Sequence, residues 1–340
     1  MKENCLPVIE IKTWLNNAFN SIQVDRGNVI VDDLLDTSLF GVDSHGVERV
    51  FHYFEKFMNG SIVKNPELNI IETSVSTRTV DGADGHGIII MNQAVMEAVD
   101  ILKISGIAAI GIKNSSHCGA IGLYTRKLAK CGYIGISMTH ADSLVVAHGS
   151  SKPFFGTNPI SISFPSVRTN EIICLDMATS KKPWNFIMNA RANNEKIESD
   201  IAINSSGIMT ENPHDATALM PIGGYKGFGL GFMIDLFCGP LNGMLYGPRL
   251  TSMYKDVENK RKLGSFLIAI DPMKFQGDRM FHILEDLLSD VSKLNSVKYP
   301  GQIENENYIY RLKNGIPLSE SFILQSHEWS RKLRISSLIK

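Results

Sequence analysis

An α/β fold is predicted from three observations. Residues 107–112 (IAAIGI) and 133–138 are apolar runs of strand length, and a helical stretch at 123–130 lies between them. Two further strand-like runs, 160–164 (ISISF) and 263–271 (LGSFLIAID), come later. Helical periodicity fills residues 8–40 and returns in the tail. Strand, loop, helix, strand is the crossover unit of an α/β sheet.

In residues 8–40, Trp14, Leu15, Phe19 and Ile22 share one face, and Leu34, Leu35 and Leu39 continue it after a break at Gly27. Asp32 and Asp33 are placed near a helix start. Next comes Asp43-Ser44-His45-Gly46-Val47-Glu48-Arg49. Ser44 and His45 stand before a helix that resumes at Val47, with Val50, Phe51, Phe54, Phe57 and Met58 as its apolar stripe. A helix N-terminus favours an anion, and Arg49 adds a planar fork that grips a carboxylate through two hydrogen bonds. The bland alternative is a helix cap by Asp43 or Ser44 beside an exposed Arg49. Residues 61–80 read as a hairpin or loop, 80–87 as a glycine-rich turn and 88–103 as a helix.

The first strand of the crossover breaks into KNSSHCGAIG, which holds His117, and the second ends at Thr139-His140. Ligands of α/β sheets sit at the carboxyl ends of strands, where both histidines fall. A histidine transfers protons near neutrality because its ordinary pKa is about 6.5. Residues 156–159 are a turn, and 172–180 a strand whose polar end presents Asp176 as either a helix cap or a ligand residue. Residues 190–215, rich in Asn, Ser and Glu, read as a surface excursion. The stretch 221–231 (PIGGYKGFGLG) opens an apolar helix at 230–238. Its glycines and Lys226 suit a phosphate, or else close helix packing. Neither G-x-x-x-x-G-K-[ST] nor G-x-G-x-x-G occurs, so a P-loop and an ordinary Rossmann fingerprint are both absent. Residues 281–294 and 318–338 read as helices, with a turn at 299–302.

The 340 residues suffice for two domains or one large one. With 34 basic and 35 acidic residues, there is no electrostatic case for nucleic acid or an anionic membrane. No stretch is apolar enough to span a bilayer, and none reads as a signal peptide. Five scattered cysteines without CxxC spacing suggest free thiols in a reducing cytoplasm. No HxH or HExxH spacing marks a metal site.

DSHGVER, SSHCGAIG, GTNPISISFP, LDMATS and GGYKGFGL occur in the order seen in the type-2 malate/L-lactate dehydrogenase family, and the chain resembles that family over about residues 8–315. The segment 250–256 (LTSMYKD) followed by GSFLIAIDP is most similar to the ureidoglycolate dehydrogenase branch. The resemblance implies a non-Rossmann α/β fold of the malate/L-lactate (sulfolactate) dehydrogenase kind, with mixed sheets flanked by helices, built as a homodimer. It implies hydride transfer between NAD or NADP and a small 2-hydroxy or 2-oxo acid. Malate, L-lactate, sulfolactate and diketogulonate are the other substrates in view. A helical, substrate-side unit (1–120, joined by 280–340) and a cofactor-binding unit (121–279) are expected.

By motif match, His117 or His45 is the acid/base, with His117 favoured. Ser44 and Arg49 match substrate-binding positions. Asp176, Met177, Ala178, Lys226, Gly227, Gly301 and Gln302 match cofactor-binding ones, and His140, at the end of its strand, is expected to join them. Two departures stand out: His148 where relatives often carry proline, and a basic, bulky KKPWN after LDMATS. The rival reading is a nicotinamide-binding paralogue without turnover.

Overall fold

The computed structural model describes residues 4–166, 171–253, 256 and 258–339. Strand β1 (Asn4–Leu6) precedes helices α1 (Val8–Ser21), α2 (Gly27–Leu39) and α3 (Val50–Met58). The hairpin β2 (Asn69–Ser74) and β3 (Thr77–Asp81) follows. Helix α4 (Gly87–Leu102) leads into the crossover of β4 (Ile107–Ser115), α5 (Gly122–Lys130) and β5 (Ile134–Thr139). The middle of the chain holds β6 (Val145–Val146), β7 (Pro153–Phe155), β8 (Ile160–Phe164) and β9 (Ile173–Met177). Then come α6 (Trp184–Asn193), β10 (Ala202–Ile203), β11 (Ala218–Leu219) and α7 (Tyr225–Cys238). The chain continues through β12 (Leu263–Ile270), α8 (Asp278–Ser292), α9 (Gln302–Asn314), β13 (Ile316–Leu318) and α10 (Glu320–Leu333).

Seven strands form the main sheet in the order β2-β3-β4-β12-β5-β8-β9. Only β3 and β4 pair in parallel, and every other neighbouring pair is antiparallel. The crossover keeps β4 and β5 parallel to each other, but β12 is inserted between them. Sequence order could not show this, because β12 arrives about 120 residues later. Strand alternation puts Leu267 and Ala269 of β12 into the core under α4 and α5. Phe266, pointing the other way, joins Ile234 and Cys238 of α7. Helices therefore cover both faces of a mixed sheet.

The terminal helices share one core, in which Trp14, Phe19, Phe51 and Phe54 pack with Phe322 and Trp329. Met58, expected in that stripe, faces outward instead. Asp33 lies inside α2 rather than near its start, where Lys127 of α5 pairs with it and with Asn92 of α4. Desolvation raises the Asp33 carboxyl even against that lysine. Residues 190–215 are more than a surface excursion. Ile187, Ala190, Ile197, Ile201 and Ala202 form a small core with Val145 and Leu219, beside a four-stranded sheet β10-β11-β6-β7. Its apolar residues come singly or in short runs such as 201–203, within a polar stretch, so composition concealed it. Among the described residues no helix is long and apolar enough to cross a membrane.

Candidate active site

Because β4, β5 and β9 run the same way, their carboxyl ends share one edge of the sheet, and the antiparallel β8 and β12 begin there. A cavity of about 310 Å³ opens along that edge. Its walls include Ser44, His45 and Arg49 from the turn before α3, His117 after β4 and His140 after β5. Asp176, Met177 and Ala178 line it from the end of β9, and Thr157 and Pro159 from the approach to β8. Residues scattered over 135 positions of sequence thus meet because strand direction gathers their loops.

The His117 loop is held from below by α4. A Cβ on Gly87 would lie 2.3 Å from the Ser116 carbonyl oxygen and 2.7 Å from that of His117, so only glycine permits this approach. Gly87 N–H also donates to Ser116 Oγ (3.0 Å). The His45 and His117 rings lie face to face, 5.6 Å apart. Ser44 Oγ is 2.9 Å from His45 Nδ1, and Tyr53 Oη is 2.7 Å from His117 Nδ1. Gly119 N–H approaches the same Nδ1 at 3.2 Å. Burial, with Arg49 behind it, lowers His45 to about 4. His117 is pushed well below the ordinary value by burial first, then by His45 and Arg49. Both imidazoles are therefore neutral at pH 7 and able to accept a proton.

Two short 3₁₀ turns, Asp43–His45 and Val47–Arg49, stand where a single helix start was expected. Val47 N–H donates to Ser38 Oγ (3.0 Å), and Asp43 pairs with Arg311 rather than capping. Arg49 thus carries the anion-binding potential of this junction. Its Nε and Nη2 donate to the Ser44 carbonyl (3.2 and 3.0 Å) and Nη2 reaches Asn185 Oδ1 (3.4 Å). Among the described residues no carboxylate pairs with Arg49, and Nη1 is left for a ligand.

Asp176 is open to the cavity yet enclosed by protein. That enclosure raises its carboxyl to about 6, against a lowering hydrogen bond from Gly122 N–H (2.9 Å) at the start of α5. It is therefore both cap and cavity residue. His140 is fully buried, with Nε2 accepting from Gly264 N–H (2.9 Å) and Nδ1 3.4 Å from the buried Asp235. Nε2 is thus used by the protein, whereas Nδ1 makes no hydrogen bond to a described residue.

Four expected cofactor residues lie off this cavity. Lys226 is exposed in the first turn of α7. Gly227 packs on the backbone of Ile222, where a Cβ would meet the carbonyl oxygen at 2.2 Å. Gly301, at φ +88°, precedes α9 against Arg126 and Cys174. Gln302 bonds within its own turn, to Tyr299 and Glu306. A narrower cavity lined by Phe40, Arg126, Cys174 and Glu304 shares Val42, Ala120 and Asp176 with the main one. It extends the cleft toward the Gly301 turn.

Sequence reading missed Tyr53, Asn185, Asp142, Arg261 and Met253. Tyr53 looks like one more apolar residue of α3, and Arg261 like one residue of a surface Lys-Arg-Lys run. Of the departures, Trp184 lines the cavity, whereas His148 lies away from it against Tyr225. Tyr254 and Lys255 of the LTSMYKD segment lie outside the described residues.

The sequence model of the malate/L-lactate dehydrogenase family matches residues 7–325. Ureidoglycolate dehydrogenase (NAD(+)) of Escherichia coli K12 is 33% identical over 285 residues, covering 82% of this chain and 81% of that protein. L-Sulfolactate dehydrogenase of Methanothermobacter thermautotrophicus is 29% identical over 334 residues, 97% of this chain and 96% of the other. The structure of sulfolactate dehydrogenase from Methanocaldococcus jannaschii superposes with a TM-score of 0.90 at 25% identity, over 98% of both chains. With its sequence matched almost end to end and its fold shared throughout, the chain belongs to the malate/L-lactate dehydrogenase family.

Proposed function

We propose that this protein is an NAD- or NADP-dependent dehydrogenase that interconverts a small 2-hydroxy acid and its 2-oxo acid, with a ureidoglycolate-type substrate favoured. Malate, L-lactate, sulfolactate and diketogulonate are the alternatives within the same chemistry. The observation that carries this reading is an arginine without a carboxylate partner among the described residues, set beside two stacked, neutral histidines in one cavity. The relatives named NAD(+)- and NADP(+)-dependent enzymes support the cofactor class.

The cleft suits a nicotinamide dinucleotide. The Asp176 carboxylate can accept hydrogen bonds from a sugar diol, Met177 and Ala178 continue that wall, and the second cavity lengthens the groove. Lys226, Gly227, Gly301 and Gln302 would meet the parts of the dinucleotide farther from His117. When bound, the nicotinamide supplies the hydride acceptor or donor. The protein does the rest. Arg49 holds the carboxylate through Nη1, which Ser44 and Asn185 leave free. In the oxidising direction His117 accepts the hydroxyl proton at Nε2, and in the reducing direction it returns that proton to the oxo group. His45, oriented by Ser44, hydrogen-bonds the same oxygen.

We assign substrate binding to the helical unit (1–120 with 280–340) and cofactor binding to 121–279. The shared core of the terminal helices supports the first unit, although β4 and β5 join both in one sheet. A homodimer is supported by the outward apolar side chains of α7, among them Phe232, Met233 and Leu236, continued by Leu241. A cytoplasmic location is supported by five unpaired cysteines. The test is absorbance of NADH and NADPH with a panel of 2-oxo acids. Oxidation of either cofactor by at least one acid is expected; tight cofactor binding without turnover would favour the paralogue reading.

A further inference from the structure

We propose that Asp142 and Arg261 form the specificity end of this site and select a substrate with one negative charge and a neutral, hydrogen-bonding tail. The inference rests on the proposed 2-hydroxy acid chemistry and narrows it. Carboxamide and ureido groups are the class of tail meant; a second carboxylate or a sulfonate is the class excluded.

Strand register brings the pair together. β5 and β12 are antiparallel, with Thr139 opposite Ser265. Three residues beyond Thr139 and four before Ser265 therefore emerge side by side, and these are Asp142 and Arg261. Both line the cavity that holds His117 and Arg49. They are only 6% and 7% exposed, and Arg261 Nη2 donates to Asp142 Oδ1 at 2.7 Å. Asp142 Oδ2 accepts from Met253 N–H at 3.2 Å, which fixes the carboxylate.

The cavity contains two guanidinium groups of different status. The partners of Arg49 are a carbonyl and an amide oxygen, so its charge is unmatched among the described residues. Arg261 is already matched by Asp142. His45 and His117 are neutral, and Asp176, the other carboxylate on the wall, adds no positive charge. Among the described residues that line the cavity, one cation is thus left for a ligand. A substrate carboxylate on Arg49 uses it. A second anionic group at Asp142–Arg261 would face a carboxylate and lose its hydration, and no free cation among the described lining residues would replace it. An amide or ureido tail fits the same wall. Its N–H groups donate to Asp142, whose oxygens each accept more than one hydrogen bond, and its carbonyl lies against the guanidinium.

The test is an isosteric pair, malate and its 4-amide, which share shape and differ in charge. With the unmodified enzyme, kcat/KM for the amide should exceed that for malate by roughly tenfold or more. Asp142→Asn releases Arg261 from its counter-charge and should move the ratio at least about tenfold toward malate. Malate equal to or better than the amide in the unmodified enzyme would overturn the proposal. So would an Asp142→Asn enzyme that turns over both with the ratio unchanged. The comparison in the unmodified enzyme stands even if that variant fails to fold. Absence of turnover with every 2-hydroxy acid in the earlier panel would instead sink the functional reading beneath it.

Discussion

Tyr53 Oη lies 2.7 Å from His117 Nδ1; the tyrosine is fully buried in α3, while the His117 ring lines the cavity. The same Nδ1 is approached by Gly119 N–H, so two tautomers compete. If Nδ1 accepts from Gly119, the ring proton sits on Nε2 and blocks proton uptake there. If Nδ1–H donates to Tyr53, Nε2 is free to act as base. On the proposed assignment, Tyr53→Phe should lower kcat for hydroxy-acid oxidation by on the order of tenfold, within the range of general base effects. KM for substrate should change little. A variant with unaltered kcat would show that the tyrosine only packs.

The two histidines are separable by pH. His117→Asn should depress kcat strongly and remove the titration of the acid/base from the pH–rate profile. His45→Asn should mainly reduce kcat/KM and leave that titration in place. Because burial holds His117 well below its ordinary pKa, oxidation in the unmodified enzyme should stay flat from neutrality down past pH 6.5. The reverse outcome for the two variants would exchange their roles.

Arg49 gives one edge of its guanidinium to the Ser44 carbonyl, so a lysine cannot replace it. The single ammonium introduced by Arg49→Lys could hold either the turn or the substrate, and it lacks the fork. Steady-state kinetics of this variant should show KM for the hydroxy acid raised by roughly tenfold or more, as loss of a charge-assisted pair of about 1.5–3 kcal/mol implies. Dissociation constants for NADH or NADPH, read by fluorescence, should be unchanged. A normal KM would remove Arg49 from substrate binding.

The buried histidines also predict acid sensitivity. His86 is lowered to about 3 by burial and His52 to about 4, alongside His45 at about 4. Unfolded, each titrates near 6.5. Between 6.5 and about 4 the unfolded chain therefore binds more protons than the folded one. Stability is full above 6.5 and falls as pH drops through that window. Urea midpoints at pH 7.5, 6 and 5 should decline progressively. In His86→Asn, which keeps a capping oxygen for the Ile88 N–H but cannot titrate, the decline should be shallower. An equal decline would mean that His86 is not among the groups responsible.

Much of this protein was legible from sequence because its signals are local. Apolar runs marked β4, β5, β8 and β12, and helical periodicity marked α1 to α5. Ser44, His45, Arg49, His117 and Asp176 stood out as polar residues at glycine-flanked or strand-end positions, and five ordered motifs marked the family. Pairing was not local. That β12 separates β4 from β5 depends on contacts formed across more than a hundred residues, which no window of sequence records. The same holds for the groups around the histidines. Tyr53 sits in an apolar helix stripe, and its hydroxyl acquires a partner only when α3 packs against the loop after β4. Asp142 and Arg261 are ordinary charges 119 residues apart until antiparallel register sets them side by side and burial leaves each as the other's counter-ion. Residue type and spacing determined which chemistry was on offer; strand direction and burial decided which charges remained free to use.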